Sequence, residues 1–195
     1  MAISDKSFRT IARTIVCVAF AAAASLGEAS AQRTMRSQGH LSIESVSAVN
    51  YNTWPGGRIS YGTYLLSSMW QVGLECDHFG ANLSSGHMLD YLDVNLFAGW
   101  QKRLAATRSR NLCLYAGGGA TLGYEFMDPW RTIPPHVDIG VAKDTFIYGV
   151  YAKTEMEFFP VKKVALILSA TASANIPSKI RWYHFTTSLG IRIDI

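Results

Sequence analysis

Charge is scarce in this chain. Asp, Glu, Lys and Arg make up 16% of its 195 residues, against roughly 25% in an ordinary globular protein. They balance to a net charge of only +4. A balance so near neutral does not resemble that of a nucleic-acid-binding surface. With 49% hydrophobic residues the chain is no disordered polymer either, since disorder needs low hydrophobicity and high net charge. Cysteine numbers three. No C-x-x-C and no Cys/His spacing suited to zinc occurs, so neither a metal finger nor a disulfide scaffold is expected. Long apolar runs are missing beyond residue 31. None there is longer than Val164-Ala-Leu-Ile-Leu168, far below the ~20 residues of a membrane-spanning helix. The length suits one domain.

What is present starts with an address. Lys6, Arg9 and Arg13 precede the apolar stretch from Thr14 to Ser25, and Ala29-Ser30-Ala31 supplies an A-x-A junction. In that order these features predict a secretory signal peptide over 1–31, with a single domain over 32–195. The alternative is a buried helix. Cys17 lies inside the apolar stretch, away from any lipoprotein junction. After cleavage 164 residues would remain, with 15 basic and 12 acidic side chains and only Cys76 and Cys113. Export permits those two to pair. They fall on non-neighbouring segments, which favours two separate thiols.

The dominant period of the remainder is two. Phe146, Tyr148, Val150, Ala152, Met156 and Phe158 alternate with Gly149, Tyr151, Lys153, Glu155 and Glu157. Leu189, Ile191, Ile193 and Ile195 alternate with Ser188, Gly190, Arg192 and Asp194. The same holds for Leu92, Val94, Leu96, Ala98 and Trp100 against Tyr91, Asp93, Asn95, Phe97 and Gly99, and again over 112–126. Such alternation marks β-strands. Eight segments are predicted: 39–50, 57–67, 69–79, 86–101, 111–126, 144–159, 161–174 and 181–194. Pro55, Pro129, Pro134, Pro135, Pro160 and Pro177 lie between them, where a ladder tolerates proline.

Links after segments two, four and six are short, apart from an arginine-rich 102–110. Those after one, three, five and seven are longer. Even strand number with alternating long and short links predicts an all-β, eight-stranded antiparallel up-and-down barrel of the outer-membrane kind. A soluble sandwich or lipocalin-like barrel alternates too, with its apolar face inward, and period alone does not separate in from out. Three features favour the membrane. Charges on the polar faces (Glu75, Asp77, Asp93, Glu125, Lys153, Glu155, Glu157, Arg192) suit a narrow lumen. Trp70, Trp100, Tyr124, Phe126, Phe146, Phe158 and Tyr183 sit near strand ends, as aromatic girdles do. The last strand reads Ser188-x-Gly190-x-x-Ile193-x-Ile195, similar to a barrel assembly signal, with Ile where aromatics are usual. Gly190, Ile193 and Ile195 are its candidate elements.

Chemistry is sparse. His184 and Thr186 share a strand face, a spacing that suggests a His-activated hydroxyl, yet no carboxylate is placed to orient the imidazole. His87 and Asp90 form a second weak pair. Both read more simply as lumen or rim residues. Gly117-Gly118-Gly119 lacks the GK[ST] of a phosphate loop and fits a crowded strand. The carboxylates read as a charge network rather than as acid–base pairs. Catalytic, cofactor and metal sites are therefore expected to be none. One surface feature stands out: Lys102, Arg103, Arg108 and Arg110 in one link, and Lys162 and Lys163 in another, fall on the same rim. They are candidate contacts for an acidic partner, against the simpler reading of a solvated edge.

The segments Leu114-Tyr-Ala-Gly-Gly-Gly-Ala-Thr-Leu-Gly-Tyr-Glu125, Asp144-Thr-Phe-Ile-Tyr-Gly149, Glu155-Met-Glu-Phe-Phe159, Lys163-Val-Ala-Leu-Ile-Leu168 and Ser188-Leu-Gly-Ile-Arg192 resemble the TraO proteins of Bacteroides-type conjugative transposons. The resemblance covers about 86–195; over 39–85 it is one of pattern. It implies a non-enzymatic outer-membrane component of a conjugative DNA-transfer apparatus, whose partners are other transfer proteins and outer-membrane lipid rather than nucleic acid. It carries no catalytic residues over. A general OmpA- or OmpW-like barrel, and a lipid-modifying barrel enzyme, are the alternatives.

Overall fold

The computed structural model describes residues 36–48, 55–82, 88–127, 144–178 and 182–195. The expected signal segment, His87 and most of the longer links lie outside the described residues. Eight strands follow one another: β1 Arg36–Ala48, β2 Gly56–Leu65, β3 Ser68–Asn82, β4 Met88–Ala106, β5 Leu112–Met127, β6 Thr145–Val161, β7 Val164–Ile176 and β8 Tyr183–Asp194. Each pairs antiparallel with the next, and β8 returns to β1, closing a barrel in sequence order.

The ladder is staggered. From His40 the register partners run Gly62, Gln71, Gly99, Gly119, Tyr151, Ser173 and His184. His40's own partner on β8 is Asp194, ten residues beyond His184. Such a stagger tilts the strands, and an eight-stranded barrel leaves an interior just wide enough for side chains to fill. Glycines on this row make room for larger neighbours. A Cβ on Gly99 would lie 2.1 Å from the Tyr151 hydroxyl and 2.7 Å from the Gly118 carbonyl oxygen.

The apolar face points out. On β8, Tyr183, Phe185, Leu189, Ile191 and Ile193 are exposed while His184, Thr186, Ser188, Arg192 and Asp194 are buried. On β6, Phe146, Tyr148 and Val150 are exposed while Tyr151, Lys153, Glu155 and Glu157 are buried. This is the inverse of a lipocalin-like barrel. Aromatics gather toward both ends of the apolar band. Tyr124, Phe126, Trp182, Tyr183 and Phe185 contact one another in two groups at the loop end, and Tyr61 packs edge-on against Trp70 at the turn end.

The strand limits shift by a few residues from those expected, and one shift matters. β4 is 19 residues long and runs on to Ala106, so Lys102 and Arg103 belong to a strand and not to a link. The true turn is 107–111. The apolar side chain of Leu104 and the sequence Ala105-Ala106 continue the alternation weakly, which is why the arginines around them masked the strand.

Candidate functional site

Two features carry the chemistry of this barrel: a charged lumen and a basic rim. The lumen is built by the inward residues of all strands. Glu44 on β1 faces Arg58 Nη1 at 3.2 Å and Lys153 Nζ at 3.3 Å, and accepts hydrogen bonds from Ser169 Oγ at 3.4 Å and from Ser188 Oγ. Arg58 Nε also meets Glu75 at 2.5 Å. Lys153 bridges on to Glu155 at 2.6 Å, and Arg192 meets Glu155 at 2.7 Å and pairs with Glu157. Arg192 Nε donates to Ser42 Oγ at 2.7 Å, and the Tyr64 hydroxyl donates to Glu157 at 2.6 Å. A chain of alternating charges thus ties β1, β2, β3, β6 and β8 together across the interior. Buried charges are tolerable when paired and hydrogen-bonded in this way.

Sequence reading placed most of these residues inside but missed Glu44 and Arg58, two central members. Both sit on β1 and β2, whose alternation uses small and polar residues (Ser42, Ser60, Gly62) rather than a strong apolar stripe. The available signal was Ile43 and Ile59 flanking each charge on the opposite face.

The lumen is closed toward the turn end by Tyr64, Met69, Cys113 and Tyr115, a buried apolar cluster. Toward the loop end lies a small cavity of about 20 Å³, lined among others by Arg58, Asp77, Asp93, Asn95, Tyr151 and Lys153. His184 packs on Phe79 at 4.6 Å between ring centres, and Thr186 is buried beside it on the same face. Asp90 lies 3.7 Å from His78. Cys113 is buried inside and Cys76 exposed on the outer face, so the two thiols lie on opposite sides of the wall and form no disulfide with each other. Among the described residues no three His, Cys, Asp or Glu side chains converge as a metal-ligand set.

The rim at the turn end gathers the six basic residues. Lys102 is exposed two positions beyond Trp100, and Arg103 is half-buried, its N–H donating to the Ser67 carbonyl at 2.7 Å. Arg108 and Arg110 are exposed on the 107–111 turn, Lys162 and Lys163 on the next one. The Phe159 N–H donates to the Asn111 carbonyl at 2.7 Å, which holds these two turns side by side. Arg110 has φ 57° and Leu66, in the β2–β3 turn, φ 48°. Glycine or asparagine is the usual occupant of such left-handed positions. A cation and an exposed leucine occupy them here. Glu155, Glu157 and Asp194, the acidic side chains near this end, are all buried. Gly190 lies inward, where a Cβ would meet Glu44, while Ile193 and Ile195 are exposed on the outer face.

The fold has well-matched solved counterparts. Neisserial surface protein A is similar with a TM-score of 0.55 and 15% identity, over 81% of this chain and 95% of that one. OprG, an outer membrane protein of Pseudomonas aeruginosa, gives 0.54 at 7% identity over 81% and 93%. Ail, the attachment invasion locus protein of Yersinia pestis, solved in complex with the heparin analogue sucrose octasulfate, gives 0.51 at 15% identity over 83% and 100%. At such identities the likeness is one of fold: the eight-stranded barrel of outer-membrane proteins. No curated protein matches this chain in sequence. The family model described as conjugative transposon protein TraO matches residues 30–195, and the chain belongs to that family.

Proposed function

We propose that this protein is a non-enzymatic outer-membrane barrel of a conjugative transfer apparatus, that it acts by docking, and that the turn-end rim is the docking surface. The family supports the apparatus and the outward apolar band supports the membrane. Export through a signal peptide cleaved after Ala31 would deliver the chain there, with the short turns facing the periplasm. The interior is filled by side chains and an apolar plug, so it offers no passage for DNA.

The observation that carries the docking reading is the segregation of charge. Four exposed cations, Arg108, Arg110, Lys162 and Lys163, stand on two adjoining turns, and among the described residues of that end no Asp or Glu side chain is exposed. A one-signed rim attracts an acidic partner over about a Debye length, ~8 Å at physiological ionic strength. Leu66, exposed beside it, adds an apolar contact.

The test replaces these four residues by Ser together. The variant is expected to fold with the heat-modifiable gel mobility of a small barrel, to reach the outer membrane, and to lose co-purification with other transfer proteins along with transfer efficiency. Raised salt should mimic the loss with the unsubstituted protein. Full transfer and full co-purification in the fourfold variant would return the rim to a solvated edge.

A further inference from the structure

At the turn end β4 outlasts its neighbour. β3 begins at Ser68, whose register partner is Lys102, and the last bond on that side runs from the Arg103 N–H to the Ser67 carbonyl at 2.7 Å. β4 continues to Ala106. On its other side it stays paired with β5, Ala105 with Leu114 and Ala106 with Cys113. Among the described residues no strand pairs with the β3-ward side of 104–106. The Thr107 N–H donates to the Leu112 carbonyl at 3.0 Å, so Thr107 turns its backbone toward β5. Backbone groups of successive strand residues face opposite neighbours, and those of Ala106 therefore face the open side.

This edge lies beyond the apolar band. Lys102 puts a charge on the outer face two residues after Trp100, and Ala106 follows four residues later, ~13 Å along an extended chain. A sheet edge is not left open in hydrocarbon. β3 ends where the band ends, and the β4–β5 hairpin goes on into water.

Native edges are usually blunted by charge, proline or a bulge. The ladder does have a bulge between Arg103 and Ala105, yet Leu104, Ala105 and Ala106 are uncharged and exposed. Leu104 is 62% exposed, and Leu66, on the turn that bounds the open edge, is 68% exposed. Leu66 holds that position at φ 48°, a conformation in which a side chain costs stability. Cations flank the edge at both ends, Lys102 and Arg103 at its root, Arg108 and Arg110 on the hairpin tip. A second copy of the chain would bring the same charges edge to edge and be repelled. An acidic strand would be attracted, so the setting selects one occupant by rejecting the other.

We infer that the open edge of β4 over 104–106 takes up an extended acidic segment of a partner protein as an added strand, its main chain pairing with Ala106 and its apolar side chains lying against Leu104 and Leu66. This rests on the docking role proposed for the rim and names its mode of recognition. Main-chain pairing supplies affinity, and the surrounding side chains choose the partner.

The probe is a fluorescein-labelled hexapeptide of alternating Val and Asp, titrated into the full chain folded in an uncharged maltoside detergent and read by anisotropy at fixed ionic strength. Saturable binding is expected, with none by the Val/Lys counterpart. Ala106→Pro removes one N–H from an open edge, a place where proline is tolerated, and should weaken binding about tenfold, the upper worth of one hydrogen bond. A probe N-methylated at every amide keeps its charge and should lose at least as much, whatever the variant does to folding. Undiminished affinity in either arm, with binding still lost when Arg108, Arg110, Lys162 and Lys163 become Ser, would overturn strand addition and leave docking by charge standing. No saturable binding by the Val/Asp probe, or equal binding by the Val/Lys one, would also overturn the inference. So would a dimer in the same detergent that Ala106→Pro dissociates, which would give the edge to a second copy.

Discussion

Replacing Arg192 by Met tests whether the lumen network holds the barrel together. Arg192 is fully buried, faces Glu155 at 2.7 Å, pairs with Glu157 and donates to Ser42 at 2.7 Å. Two unit charges ~4 Å apart attract by roughly 4 kcal/mol at an effective dielectric near 20, so two attractions amount to roughly 8. Against this stands the several kcal/mol recovered when the guanidinium no longer has to be desolvated. The net is the usual cost of breaking a buried pair from one side, about 3–5 kcal/mol. Met keeps the length and apolar bulk of the side chain, so packing against Tyr64 and Met69 is largely retained. Glu155 keeps Lys153 at 2.6 Å, whereas Glu157 keeps the Tyr64 hydroxyl at 2.6 Å but loses its cation. Glu157→Gln in the Arg192→Met background should therefore restore part of the loss. Urea unfolding of the barrel in lipid vesicles, followed by tryptophan emission and by gel mobility, measures both. An Arg192→Met midpoint equal to that of the unsubstituted protein refutes the network argument, and so does a double variant no more stable than the single one.

Two further outcomes follow from the outward face. Leu189, 64% exposed and central in the outward series of β8 from Tyr183 to Ile195, should cost ~2–4 kcal/mol when changed to Lys, and Ile195→Lys only ~0–1, because the penalty falls from midplane to interface; equal costs in the same unfolding assay would contradict the lipid-facing assignment. A membrane-permeant maleimide should label Cys76 and spare Cys113 in the folded protein, with both labelled after unfolding and no disulfide-dependent mobility shift on a gel; protection of Cys76 would place it inside the wall.

Much of the architecture was legible because a strand writes its period directly into the sequence. Tyr183 to Ile195 and Phe146 to Phe158 alternate so cleanly that strand, face and approximate limits follow from side-chain chemistry alone. β1 and β2 were harder, since Ser42, Ser60 and Gly62 leave the inward face without contrast, and Glu44 and Arg58 went unnoticed with them. The end of β4 was hidden by Lys102 and Arg103, whose charge reads as a link although the ladder continues to Ala106.

The sequence by itself determined the strand number, the antiparallel order and the family, all of which rest on local pattern and on connection length. Period alone left open which face turns inward, because a period of two is the same from either side. The charges on one face and the aromatics at the strand ends favoured the membrane arrangement, and the closed tertiary structure puts Leu189 and Ile191 outside and Arg192 against Glu155 inside. Register was beyond reach. Asp77, Asp93 and Glu125 are separated by 16 and 32 positions along the chain, and nothing near any of them announces the others. They become neighbours because the stagger of the closed barrel sets them in one row, and strand pairing, unlike alternation, is a property of the whole ring.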